Sequence, residues 1–245
     1  MRVPVLQGVI ERRILANCQV DPDVLAKVLP SPFRPKLVNG VGVAGICLIR
    51  LRHIRPVFVA GRFGLSSENA AHRIAVEWTD DGVVREGVYV PRRDTSSTLN
   101  TLFGGKLFPG IYHHAKFEVE EEDDRYRIAL ESNDGFAHVI VEGRVRPQLP
   151  PTSAFSSLQE ASAFFEAGSM GYSPGHRPGE FDRMELRSLN WKVEPLAIER
   201  FESSFFEDHS LFPSGSLRLD CGLLMRGIQH EWHGQRPLCH AVGEA

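Results

Sequence analysis

The chain has 245 residues, is 42% hydrophobic and 24% charged, and carries a formal net charge of −3 at pH 7. That is the balance of an ordinary globular protein. Acids interspersed with arginines argue against a nucleic-acid partner, which calls for a basic stripe that displaces counterions from phosphates. No apolar run approaches the roughly 20 residues needed to cross a bilayer as a helix, and the opening Met1 to Gly8 is too short for a signal-peptide core. A cytoplasmic protein without a membrane partner is therefore expected. Cys18, Cys47, Cys221 and Cys239 are widely spaced with no Cys-x-x-Cys pair, so they read as reduced thiols rather than a zinc site or disulfide framework.

Residues 9–20, rich in aliphatic and β-branched side chains, predict a first strand. Asp21-Pro22 then starts a short helix, with Val24, Leu25, Val28 and Leu29 on one face and Pro30 and Pro32 preventing continuation. Asn39-Gly40 between Lys36-Leu37-Val38 and the apolar run 41–54 is a hairpin signal. A second hairpin joins 70–78 to 83–90 through Asp80-Asp81-Gly82, and Pro91 is expected to end that strand. Asp94 or Thr95 is placed to cap a short helix through Leu99 and Leu102, closed by Gly104-Gly105. Segments 111–120, 125–131 and 136–146 read as a three-stranded meander with no βαβ unit.

After the prolines at 147, 150 and 151, a helix is predicted over 156–167 with Ser153 or Ser156 as its cap. Residues 168–179 read as a glycine- and proline-rich loop, and 181–193, 196–206 and 216–232 as long strands. The pattern is mainly β (α+β): a large antiparallel sheet system with a few short helices, taken as a single domain over residues 1–245. Closure into a barrel would remove its edges.

Candidate chemistry concentrates between residues 62 and 116. Ser66 to Arg73 sets Glu68, Asn69, His72 and Arg73 among small residues at the start of a strand. There His72 shares a face with Ile74, Val76 and Trp78, while Arg73 shares the other with Glu77. His72 thus faces either core or pocket. Glu68 with His72 lacks the His-Glu-x-x-His spacing and a third ligand, so no metal is expected.

Arg92, Arg93 and Asp94 put two guanidiniums and a carboxylate at a strand end. They suit an anionic small molecule, with Asp94 orienting one fork, or else form a solvated charge cluster. Lys106, one of only five lysines, lies in a glycine-containing loop that is not a P-loop. On the next strand His113 falls on the more apolar face with Ala115, Phe117 and Val119, and His114 on the opposite one. His230, His233, Cys239 and His240 are metal ligands by type only, since nothing anchors them as a compact set.

The stretches 30–35 (Pro-Ser-Pro-Phe-Arg-Pro), 44–48 (Ala-Gly-Ile-Cys-Leu), 66–78, 87–97 and 102–114 resemble the uncharacterised YqjF-like family of the acetoacetate decarboxylase-like superfamily. The resemblance covers nearly the whole chain and implies an antiparallel β-cone or barrel around a central cavity. True decarboxylases carry a Schiff-base lysine in a Gly-Phe-Pro-Lys-Lys-like sequence, activated by a lowered pKa. Here Ile111, Tyr112 and His113 stand where that lysine pair would, leaving Lys106 as a substitute.

The reading is a protein that binds, and transforms or merely holds, a small carboxylate or carbonyl compound. Arg92, Arg93, Asp94, Asn69, Arg73 and His114 would bind it, and Lys106, His72, His113 and Glu68 would supply chemistry. No cofactor is implied, and a homo-oligomer with this polar stretch at its interface remains an alternative.

Overall fold

The computed structural model describes residues 4–61, 64–103 and 110–240. In chain order the elements are β1 (Leu6–Val20), α1 (Pro22–Val28), β2 (Arg34–Pro35), β3 (Leu37–Val38), β4 (Val41–Pro56), β5 (Leu65–Asp80), β6 (Val83–Thr95) and α2 (Thr98–Phe103). They continue with β7 (His113–Glu122), β8 (Arg125–Ser132), β9 (His138–Val145), α3 (Leu158–Ala167), β10 (Met170–Pro174), β11 (Glu180–Ser188), β12 (Glu194–Ser203) and β13 (Leu217–Cys239). Among the described residues no helix is long and apolar enough to cross a membrane.

All the strands join one sheet in the order β11-β10-β6-β7-β8-β9-β12-β13-β1-β4-β5-β2, with β3 beside β4. Two further pairings, β11 with β13 and β5 with β6, close it twice. One circuit runs through β5, β6, β7, β8, β9, β12, β13, β1 and β4; the other runs through β6, β10, β11, β13, β1, β4 and β5. Closure leaves few free edges, and it gives the shared strands two buried faces. Strands buried on both faces read as continuous apolar runs rather than alternating ones, which accounts for the unbroken stretch in β4, buried from Gly42 through Ile49.

Alternation then sorts the side chains. Ile14, Ala16, Ile46, Leu48 and Ala70 join Ile128, Val139 and Leu224 in one core, while Leu15, Cys47, Ile49, Ala75 and Leu223 join Met184 and Phe165 of α3 in the other. At one end Phe33, Trp78, Tyr89, Tyr172 and Phe181 form an aromatic cluster in which Phe33 meets Trp78 and Phe181 edge to face, the Phe33 and Phe181 centroids 4.9 Å apart.

Several expectations change. Pro91 does not end β6, which runs on to Thr95. The register shifts between His72 and Ile74, so Pro91 sits at a bulge where its missing N–H breaks no ladder bond. The sheet is not wholly antiparallel. Asp94 and Thr95 pair in parallel with His113 and His114 across α2, and β10 pairs in parallel with β6.

Thr95 does accept a bond from the Ser97 amide at 3.1 Å, but Asp94 stays in the strand against Arg92. The cap of α3 is Ser157, whose Oγ accepts from the Glu160 amide, because Ser156 is held by the Glu160 carboxylate instead. The loop expected at 168–179 contains β10. Its Met-Gly-Tyr-Ser-Pro sequence has no β-branched residue to mark it, and it is fixed by tertiary pairing and by burial of Tyr172.

Candidate functional site

The second circuit encloses a cavity of about 360 Å³, within the range that holds small ligands. Its apolar wall includes Ile49, Leu51, Val88, Met184, Trp191 and Trp232. Into this wall β1, β5 and β6 each place an arginine: Arg13, Arg73 and Arg93. The period of two dictates this. Arg12, His72 and Arg92, one position earlier on the same strands, are not among the lining residues.

Arg73 is the most deeply set, at 4% exposure. Its Nη2 donates to Asn17 Oδ1, its guanidinium lies 4.7 Å from the Phe165 ring centroid, and its Nε has no hydrogen-bond partner among the described residues. Burial pushes its pKa down to about 10, with Cys47 the foremost of the charges that hold it up and Arg13 acting against it. It therefore remains a cation at neutral pH. Arg13 Nε donates to Cys47 Sγ at 3.3 Å. Arg93 Nε donates to Ser173 Oγ at 3.0 Å, and its guanidinium lies 5.8 Å from the Tyr112 ring centroid. Among the described residues, none of these three has a carboxylate oxygen within 4.0 Å.

Burial pushes the Tyr112 phenol up, against the pull of Arg93. Of the acids at the rim, Glu185 is bound by Arg187 at 2.9 Å, which holds its carboxyl below the ordinary value, and Glu166 is exposed.

On the opposite face the arginines meet carboxylates. Glu68 lies between Arg12, at 2.6 Å, and Arg50, and Glu121 bridges the same two arginines. Arg92 reaches Asp94 at 2.8 Å and Asp134 at 2.9 Å, and His113 Nδ1 lies 2.8 Å from Asp134. Burial raises the Asp94 carboxyl in spite of Arg92. Burial acts to raise Asp134 too, but hydrogen bonds from Ser132 and Phe136 and the Arg92 charge hold it well below the usual carboxylate range. His72 is fully buried against Phe205, with Nε2 2.9 Å from Ser203 Oγ, and burial drives its pKa down to about 3. His114 Nδ1 lies 3.1 Å from Asn133 Nδ2.

Of the residues singled out in the sequence, Asn69, Arg73 and Arg93 line the cavity, whereas Glu68, His72, Arg92, Asp94, His113 and His114 do not. Lys106 lies outside the described residues. Sequence reasoning missed Arg13, Cys47, Tyr112 and the two tryptophans. A signal for Arg13 existed: Arg12-Arg13 in the first strand repeats the doublet of Arg92-Arg93.

A family model for DUF2071, described as an uncharacterized conserved protein, matches residues 9–219. The chain belongs to the DUF2071 family. No curated protein matches this DUF2071 chain in sequence. Among solved structures it is similar to acetoacetate decarboxylase from Legionella pneumophila, with TM-score 0.60 and 14% identity over 97% of this chain and 87% of that one. It is also similar to an acetoacetate decarboxylase-like enzyme from Sphingomonas wittichii, with TM-score 0.57 and 11% identity over 98% and 94%. The enduracididine biosynthesis enzyme MppR, in a complex with pyruvate, gives TM-score 0.58 and 10% identity over 98% and 91%. At these identities the likeness is one of fold: the DUF2071 chain has the decarboxylase-like architecture that its sequence resemblance implied.

Proposed function

We propose that this DUF2071 protein binds a small carboxylate with an apolar body in the cavity. The anion meets Arg73, Arg13 and Arg93, and the body packs against Trp191 and Trp232. The observation that carries this reading is Arg73, a guanidinium 4% exposed with no carboxylate partner among the described residues. Removing an ion from water costs several kcal/mol even after relaxation, so an uncompensated one marks a place where a ligand supplies the counter-charge. Arginine's planar fork fits a carboxylate in two-point geometry. The pyruvate complex of MppR, a protein of the same fold, is consistent with this ligand class. Because no histidine lines the cavity and, among the described residues, no lysine does, the reading is ligand capture by charge and shape rather than proton transfer by the histidines.

Matched acids and amides test it. Benzoate, hexanoate and phenylpyruvate at about one hundred times their Kd should stabilise the fold by about 2.7 kcal/mol, a rise in Tm on the order of 5–10 °C for a chain of this size. Benzamide and hexanamide should leave Tm unchanged. Equal shifts from acid and amide would refute an arginine-held anion.

A further inference from the structure

Where the related decarboxylases use a lysine, the described wall of this cavity offers a thiol. Cys47 lines it, is 7% exposed, and accepts a hydrogen bond from Arg13 Nε at 3.3 Å. It sits on β4 opposite Ala71 of β5 and Leu15 of β1, so the flanking residues Arg73 and Arg13 bring cations to its side of the sheet. Both guanidiniums are thus placed to hold an anion beside the sulfur. The other thiols have different surroundings. Cys18 and Cys221 are buried away from the cavity lining and burial pushes both well up, while Cys239 is exposed at the end of β13.

A second feature points to a ligand at the same place. Arg73, more than nine-tenths buried and lining the cavity, keeps an Nε with no partner among the described residues. A carboxylate held on the guanidinium that also touches Sγ presents its adjoining carbon to the sulfur.

We propose that Cys47 is the nucleophile of the cavity and adds reversibly to the carbonyl carbon of a 2-oxo carboxylate anchored on Arg13 and Arg73. The S–H bond of the thiol is broken and an S–C bond forms. The carbonyl π pair moves onto oxygen, which takes the proton and becomes the hydroxyl of a hemithioketal; nothing is oxidised or reduced. This inference rests on the carboxylate-binding reading and extends it to a covalent step.

The experiment has two arms on the intact protein. Iodoacetate and iodoacetamide differ in charge but alkylate thiols by the same displacement of iodide, and peptide mapping follows Cys47 and Cys239 in one sample. The iodoacetate-to-iodoacetamide rate ratio at Cys47 should exceed that at Cys239 at least tenfold, and should fall toward the Cys239 value in Arg13→Met. In the second arm, phenylpyruvate labelled with ¹³C at its carbonyl carbon should give a tetrahedral-carbon resonance with the wild type that is lost in Cys47→Ser.

If Cys47 resists both alkylators and no tetrahedral resonance forms while phenylpyruvate still binds, the nucleophile is refuted and the carboxylate site stands. If the Cys47 ratio equals that of Cys239 and phenylpyruvate does not bind, both are refuted.

Discussion

Arg12 with Arg13, and Arg92 with Arg93, are neighbours in the chain that end on opposite faces of the same strands, and the two faces treat them differently. Arg12 and Arg92 each meet two carboxylates. Arg13 and Arg93, joined by Arg73, meet a thiol, a hydroxyl, an amide and aromatic rings, but no carboxylate among the described residues. The first face compensates its charges internally and belongs to stability. The second leaves them for something from outside.

The largest expected effect is on the paired face. Arg12→Met leaves Glu68 and Glu121 with one buried cationic partner fewer, and breaking such a pair costs about 3–5 kcal/mol. A urea titration should show that loss while phenylpyruvate affinity at the remaining folded fraction is unchanged. A variant as stable as the wild type would place Arg12 outside the stabilising network.

Next comes pH, because each face holds a histidine kept neutral. Burial lowers His72 to about 3 and His230 to about 4, both below the ordinary value of 6.5. The unfolded chain therefore binds protons first as pH falls. The stability these groups contribute is present above pH 6.5 and declines below it, by about 1.4 kcal/mol per pH unit for each. It stops declining near pH 4 for His230 and near pH 3 for His72. Urea titrations at pH 7 and pH 5 should differ by about 4 kcal/mol in the wild type, and by about half that in His72→Leu. An unaltered pH dependence in His72→Leu would mean that this ring is not held neutral.

Arg73→Met inverts the pattern of Arg12→Met. Deleting an uncompensated buried charge should leave stability equal or higher, yet weaken carboxylate binding roughly 10- to 100-fold, the value of one charge-assisted contact. The smallest effect is expected of Arg93→Met, whose half-buried fork should cost about two- to fivefold in affinity. Loss of stability in Arg73→Met, with binding intact, would assign the arginine to the core.

Much of the fold was legible because local rules agree with it. Asp21-Pro22 starts α1 with the Asp21 carboxylate accepting from the Asp23 amide, and Asn39 and Gly40 take φ of 48° and 82° in the hairpin turn. What was not legible depended on pairing between distant segments, which no local pattern encodes: β10 inserted between β6 and β11, and the double closure of the sheet.

The site was half legible for the same reason. Alternation correctly set His72 and Arg73 on opposite faces, but a closed double circuit buries both, and only the structure says which side is hollow. Tyr112, seen in the sequence only as the residue standing in place of a lysine, turns out to line the cavity beneath Arg93. Arg13 and Trp232 come from the far ends of the chain and reach the same wall through β1 and β13, whose register sets Leu6 opposite Trp232.

Calorimetric titration of phenylpyruvate into the wild type and Arg73→Met at pH 7, with urea stability measured on both, tests the division between the faces most directly. The expected result is binding in the wild type, at least tenfold weaker binding in the variant, and no loss of stability. Equal affinity in the two proteins would contradict it.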